Sequence, residues 1–165
     1  MTSVLAPLLA SARITLDVQS TERVAALYEV ARLLDGHPDV TDFRGFFNEL
    51  LARERLDTTC LGNKIALPHA RTEHVTRIVM AVGRSDPGVY YENCDQTVRL
   101  IFALGIPKSN DGGYLQVVSV LCRIIKDPAN CDALLHAPTS EAFLQTLLDL
   151  EACVLASVPS PRGAR

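Results

Sequence analysis

Two apolar runs, Ile78 to Val82 and Val98 to Leu104, constrain the fold of this chain more than any other feature. Neither alternates strictly between apolar and polar residues, so neither can leave one face in water. Both are predicted to be central strands covered on each face by helices. The covering helices can be read on either side of them. After Ser20 and Thr21, the residues Val24, Leu27, Tyr28, Ala31 and Leu34 follow helical spacing, and Gly36 supplies a stop. Phe43, Phe46, Phe47, Leu50 and Leu51 form the apolar stripe of a second helix, capped by Thr41 or Asp42. From Tyr114 to Ile125 the apolar residues occupy two sides of a helix, which predicts that it is sandwiched. Asp127 and Pro128 open a brief helix. Ser140 is placed to cap a last one, with Phe143, Leu144, Leu147 and Leu148 inward.

Shorter elements fill the rest. Val4 to Ala10 reads as a short packed helix despite Pro7, and Ile14 to Asp17 as a short strand. Thr59 to Leu61 and Ile65 to Leu67 flank the turn signal Gly62-Asn63, as a hairpin or a bent loop. The predicted architecture is a single α/β domain with a mixed sheet and helices on both faces. At 165 residues the chain fits one such unit. The domain is placed at residues 1–153. The tail 154–165, with its two prolines and no periodicity, is expected to be mobile.

Charge and cysteine usage narrow the function classes. Sixteen Lys and Arg against 19 Asp and Glu give a net charge of -3, with no basic field for nucleic-acid phosphates. Five cysteines, at 60, 94, 122, 131 and 153, contain no CxxC pair and are odd in number. Neither a zinc site nor a complete disulfide framework is suggested, and a reducing cytoplasm is the simpler setting. Cys60 reads as a small buried side chain. No run approaches the roughly 18 apolar residues of a membrane span, so a membrane role requires a partner. No metal or cofactor is expected.

The chemistry concentrates in Arg53-Glu54-Arg55-Leu56-Asp57-Thr58-Thr59-Cys60-Leu61-Gly62-Asn63-Lys64-Ile65-Ala66-Leu67-Pro68-His69. His69 closes an apolar strand, and Pro68 fixes its own backbone while biasing Leu67 towards extension, so the imidazole is presented rigidly. A neutral ring nitrogen is nucleophilic near neutral pH and its phosphoramidate can pass the group onward, with the other nitrogen expected to donate a hydrogen bond. Phosphoryl transfer depends on positioning and on neutralising the equatorial oxygens, for which Arg53 is the nearest candidate. Read blandly, Arg53 is a helix-end residue complementing the dipole, and Glu54 is structural. His37 and His136 read as solvated. His74 lies five residues past His69, not at HExxH spacing.

This segment resembles the active site of the phosphotransferase-system enzyme IIA family, fructose/mannitol and nitrogen-regulatory type, through Arg53-Glu54, Thr59, Gly62-Asn63 and Ile65-Ala66-Leu67-Pro68-His69. The resemblance runs from about Leu5 to Glu151, and Leu100 to Pro107 resembles the family's central strand. It implies a mixed α/β fold and a histidine phosphocarrier accepting phosphate from an HPr-type protein. His69 would be the acceptor and Arg53 its assistant, with Thr59, Gly62, Asn63, Lys64 and Pro68 shaping the pocket. Sugar-specific members pass the group to a IIB domain, whereas nitrogen-type members regulate other proteins.

One departure stands out. The family usually has a second histidine where this chain has Tyr114, whose hydroxyl donates one hydrogen bond and carries no positive charge. Tyr114 is read either as a site residue or as a half-buried packing residue. Lys64 and Ala70 stand where the family often has glycine; Lys64 adds charge or faces solvent. With no IIB-like or membrane IIC-like segment alongside, the leading expectation is a cytoplasmic, regulatory phosphocarrier. The alternatives are a IIA-fold interaction module with weak or lost phosphotransfer, and a sugar-specific IIA component with a separate IIB partner.

Overall fold

In the computed structural model, which describes residues 2–109 and 112–157, the two apolar runs lie at the centre of a six-stranded mixed sheet. The strands are β1 Ile14–Thr15, β2 Cys60–Gly62, β3 Ile65–Ala66, β4 His69–Thr72, β5 Val79–Tyr91 and β6 Gln96–Pro107. β5 and β6 pair antiparallel, with a register shift between Arg84 and Val89. β1 lies parallel to β5, while β3 and then β4 lie parallel to β6, at Leu100 to Ile101 and at Leu104 to Pro107. β2 folds back antiparallel on β3. Both central strands outrun the predicted apolar cores: β5 continues past Asp86-Pro87-Gly88 to the buried Val89 and Tyr91, and β6 continues past Leu104 through the buried Ile106.

The helices are α1 Arg23–Ala31, α2 Phe43–Leu56, α3 Gly113–Ile125, α4 Pro128–His136 and α5 Ser140–Ala156. Successive residues of β6 enter opposite cores, which is why the run does not alternate. Ile101 and Ala103 meet Leu27, Val30, Phe46 and Leu50 of α1 and α2. Leu100, Phe102 and Leu104 meet Val117, Leu121, Phe143 and Leu147 of α3 and α5. Each such Leu or Phe contributes roughly 1.5–3 kcal/mol by leaving water. Gly105 lets α2 approach closely, since a Cβ there would lie 3.0 Å from the Phe46 ring.

Caps hold the helix starts. Asp42 accepts from Gly45 N and Asp127 from Ala129 N. At α5 the cap is Thr139, one residue before the predicted Ser140, whose hydroxyl instead donates to the Ile14 carbonyl. Residues 4–8 form bends and turns, and 9–10 no regular element, rather than the predicted helix. A single turn closes from Leu8 N to the Leu5 carbonyl, and Pro7, with no N–H to donate, does not extend it. The buried Glu151 accepts from Val4 N and Leu5 N and ties the segment to α5. Within the tail predicted to be mobile, residues 154–156 belong to α5 and Ser157 is its C-cap, while 158–165 lie outside the described residues.

Cys60 is not the lone buried side chain expected of it. Cys60 of β2 is joined to Cys94 in the β5–β6 turn, 34 residues away in sequence, and is half-buried. Cys122, Cys131 and Cys153 are free thiols. Odd number and absent CxxC said nothing about this pair, because the sheet, not the sequence spacing, brings β2 to the turn. Beside it lies a buried polar cluster. The Thr59 hydroxyl donates to Glu54 at 2.8 Å, and Arg23 lies 3.7 Å from Glu54 and 2.8 Å from Glu92. Burial raises the Glu54 carboxyl above its ordinary range, with the Thr59 hydrogen bond and the Arg23 and Arg53 charges opposing.

Two outcomes follow for stability. Cys94→Ser should lower the unfolding free energy by about 3–4 kcal/mol in urea without reductant, from the lost loop constraint, and the gap should close in excess dithiothreitol. A folded-state pKa raised above the unfolded one gives stability present below the unfolded value and lost as pH rises through the folded one. Urea midpoints of Glu54→Gln should therefore gain on wild type as pH climbs from 4 to 7; a constant difference would contradict the raised carboxyl.

Candidate active site at His69

The interruption of one sheet edge builds the site. β3 and β4 both pair with β6, and between them Leu67 and Pro68 break the ladder; the Pro68 carbonyl still accepts from Leu104 N at 2.9 Å. Pro68 has no N–H to place in a ladder, so it suits this break. His69 thus begins β4 instead of ending the strand before it.

His69 is half-buried, and its Nδ1 lies 2.7 Å from the Leu67 carbonyl. A carbonyl only accepts, so Nδ1 carries the proton and donates, and the lone pair belongs to Nε2. The expected donation by the second ring nitrogen is therefore present. The ring lines a cavity of about 550 Å³ bounded by Glu49, Ala52, Arg53, Leu56, Ala70, Arg71, Lys108 and Tyr114. The spacing of Glu49, Ala52, Arg53 and Leu56 is that of one α2 face, while Phe46 and Leu50 on another face are fully buried. α2 is thus anchored by its apolar face, and the cavity receives its polar one.

His69, Arg53 and Tyr114 are brought to one cavity from three elements. Tyr114 stands in the first turn of α3, whose N-cap Gly112 has φ 139° and no side-chain oxygen to offer the turn. A helix start of this kind favours negative charge nearby. The residues expected to shape the pocket are placed differently. Thr59 is buried against Glu54, behind α2. Gly62, Asn63 and Lys64 form the β2–β3 turn with φ of 84°, 52° and 67°, and do not line the cavity. Asn63 donates instead to the Ile125 carbonyl at the far end of α3, and Lys64 is exposed. Pro68 is buried next to His69.

Two cations escaped the sequence reading. Arg71 is two residues after His69 on β4, hence on the same strand face. Its guanidinium lies 5.7 Å from the Tyr114 ring centroid and donates to the Lys108 carbonyl at 3.1 Å. Lys108 follows β6, and its N–H donates to the Thr72 carbonyl of β4. The His-x-Arg alternation was the available signal for Arg71, hidden because β4 was not recognised as a strand. For Lys108 the signal lies only in the β4–β6 pairing.

The other histidines stand apart from the cavity lining. His74 lies near Asp42 and Glu49, at 3.7 and 4.0 Å, and His136 is exposed beside Asp132. His37 is half-buried rather than fully solvated; its Nδ1 accepts from Asp39 N, and burial lowers its pKa. Among the described residues no cluster of three or more His, Cys, Asp or Glu is arranged to hold a metal ion. No helix among them is long and apolar enough to cross a membrane.

Comparison with known proteins agrees with this architecture. The chain is 29% identical over 141 residues to the "PTS system fructose-specific EIIABC component" of Bacillus subtilis, covering 85% of this chain but only 22% of that one. It is 28% identical over 145 residues to a nitrogen regulatory protein of Pseudomonas aeruginosa, covering 87% and 94% of the two chains. The crystal structure of the nitrogen regulatory protein IIA-Ntr from Neisseria meningitidis superposes with a TM-score of 0.79 at 26% identity, covering 88% of this chain and 99% of that one. The family described as "Phosphoenolpyruvate-dependent sugar phosphotransferase system, EIIA 2" matches residues 7–149, and with a mixed sheet, helices on both faces and a histidine at the broken sheet edge, the chain belongs to that family.

Proposed function

We propose that the protein is a cytoplasmic histidine phosphocarrier that takes a phosphoryl group from an HPr-type protein on His69 Nε2, and that it serves regulation of the nitrogen type. The observation that carries this reading is the hydrogen bond from His69 Nδ1 to the Leu67 carbonyl, which commits the other nitrogen, in a cavity with three cationic side chains, to nucleophilic attack. In the transfer, the P–N bond of the carrier breaks with its electron pair leaving on the carrier's nitrogen, and Nε2 supplies the pair for the new P–N bond. The ring becomes more positive as it attacks, and the Leu67 carbonyl faces the N–H that shares this charge. Arg53 orients and neutralises the equatorial oxygens, where a planar fork is best matched. The domain we assign to this role runs through the end of α5, Ser140–Ala156, beyond the expected boundary at residue 153.

The nitrogen-regulatory assignment draws on the near full-length match to the Pseudomonas protein and on the Neisseria fold. A sugar-specific role with a separate IIB partner draws on the fructose-specific relative. A third reading, an interaction module with weak phosphotransfer, draws on Tyr114 standing at the cavity where a second imidazole would be expected.

Incubation with phosphoenolpyruvate, enzyme I and an HPr-type carrier should add the mass of one acid-labile phosphoryl group. His69→Ala should abolish the gain, and Arg53→Gln should slow it about ten- to a hundredfold, the scale of one lost charge-assisted hydrogen bond. A wild-type protein that gains no mass would favour the interaction module.

A further inference from the structure

A phosphoryl group on His69 spreads its charge over three oxygens, and Arg53 approaches them from α2. On the α3 side stands Tyr114, a neutral group with one hydroxyl proton. Its ring does something else in this structure: the Arg71 guanidinium lies over it, 5.7 Å from the centroid, within the range of cation–π attraction. Arg71 is also tied by its bond to the Lys108 carbonyl, and Lys108 is tied to β4 through Thr72.

We propose that Arg71 is the phosphate-binding cation on the α3 side of the His69 cavity, and that Tyr114 is a positioning residue that holds the Arg71 guanidinium by its ring rather than donating its hydroxyl to phosphate. The inference rests on the phosphoryl-acceptor reading of His69. Residues two apart on a strand have side chains on one face and backbones about 6.6–7 Å apart, so the long Arg71 side chain reaches the space beyond the His69 ring. The pairing of His69 with Leu104 and Arg71 with Ile106 on β6 keeps both in register. A guanidinium presents planar, paired N–H donors matched to phosphate oxygens and stays charged at every physiological pH, which a tyrosine cannot do. Fixing it against a ring and a carbonyl reduces the freedom lost when the anion arrives.

The test uses phosphoramidate, a small donor that labels histidine without any carrier. Its P–N bond breaks, ammonia leaves with the electron pair and takes up a proton, and Nε2 of His69 forms the new bond. The rate is followed by intact mass, with His69→Ala as the blank. Arg71→Gln should slow labelling about ten- to a hundredfold, and Arg71→Lys should recover part of the loss. Tyr114→Phe should stay within about twofold of wild type, while Tyr114→Leu should slow labelling. The double variant Arg71→Gln with Tyr114→Leu should be no slower than Arg71→Gln alone, the non-additivity expected of a residue that acts through another. The proposal is overturned if Arg71→Gln labels at the wild-type rate, if Tyr114→Phe is as slow as Tyr114→Leu, or if wild-type His69 takes no phosphate from this donor. Labelling by phosphoramidate without labelling by the HPr-type carrier would remove the relay reading and leave this one standing.

Discussion

The parallel pairing of one interrupted edge with β6 is the constraint on which the rest depends. β6 is buried on both faces and its position is fixed by two cores. Whatever pairs with it inherits that rigidity. β3 and β4 both do, and the two residues between them, Leu67 and Pro68, provide the break: the Leu67 carbonyl turns to the imidazole and the Pro68 carbonyl to Leu104 N. One short irregularity thus sets both the place and the tautomer of His69. An uninterrupted strand would have spent the Leu67 carbonyl on a ladder, and the proton could then have sat on either ring nitrogen.

What the sequence disclosed follows from how local each signal was. The stripe Phe43, Phe46, Phe47, Leu50, Leu51 and the cap Asp42 are encoded within one helix, so α2 was legible and with it the face that carries Arg53. The two-sided burial of β5 and β6 was legible because both cores write into the same run of residues. The motif ending in Pro68-His69 marked His69 as the candidate acceptor through its resemblance to a family. Signals that need a partner distant in sequence were not legible. Lys108 reaches the cavity only because β6 pairs with β4, Cys60 meets Cys94 only across the sheet, and Glu151 reaches back to Leu5 across the whole domain. The Gly62-Asn63-Lys64 turn misled by proximity in sequence: a tight turn six residues before a histidine can still point to the opposite end of the following helix.

The buried cluster behind α2 bears on the site through Arg53. Glu54 follows Arg53 in the last turn of α2, and its side chain goes inward to Thr59 and Arg23 while Arg53 faces the cavity. Burying a carboxylate is costly unless it is paired and hydrogen-bonded, and here one hydroxyl and a nearby guanidinium offset part of that cost. The return is a fixed rotation of the helix end. If the last turn frayed, Arg53 and Leu56 would lose their placement together, since both depend on the same helical phase.

Charge balance gives a last reason to place a doubly charged anion here. The protein carries a net charge of -3, so a surface drawn at random would repel phosphate. The cavity is different: Arg53, Arg71 and Lys108 stand among its lining residues with the carboxylate Glu49, and Lys108 also lies 3.7 Å from Glu73 outside the lining. A phosphoryl group brings about two negative charges near neutral pH. Under the proposed function, loading His69 would set that charge beside three cationic side chains. In that role a partner could tell the two forms apart by charge at the cavity, because loading His69 would shift the balance among its lining residues towards negative.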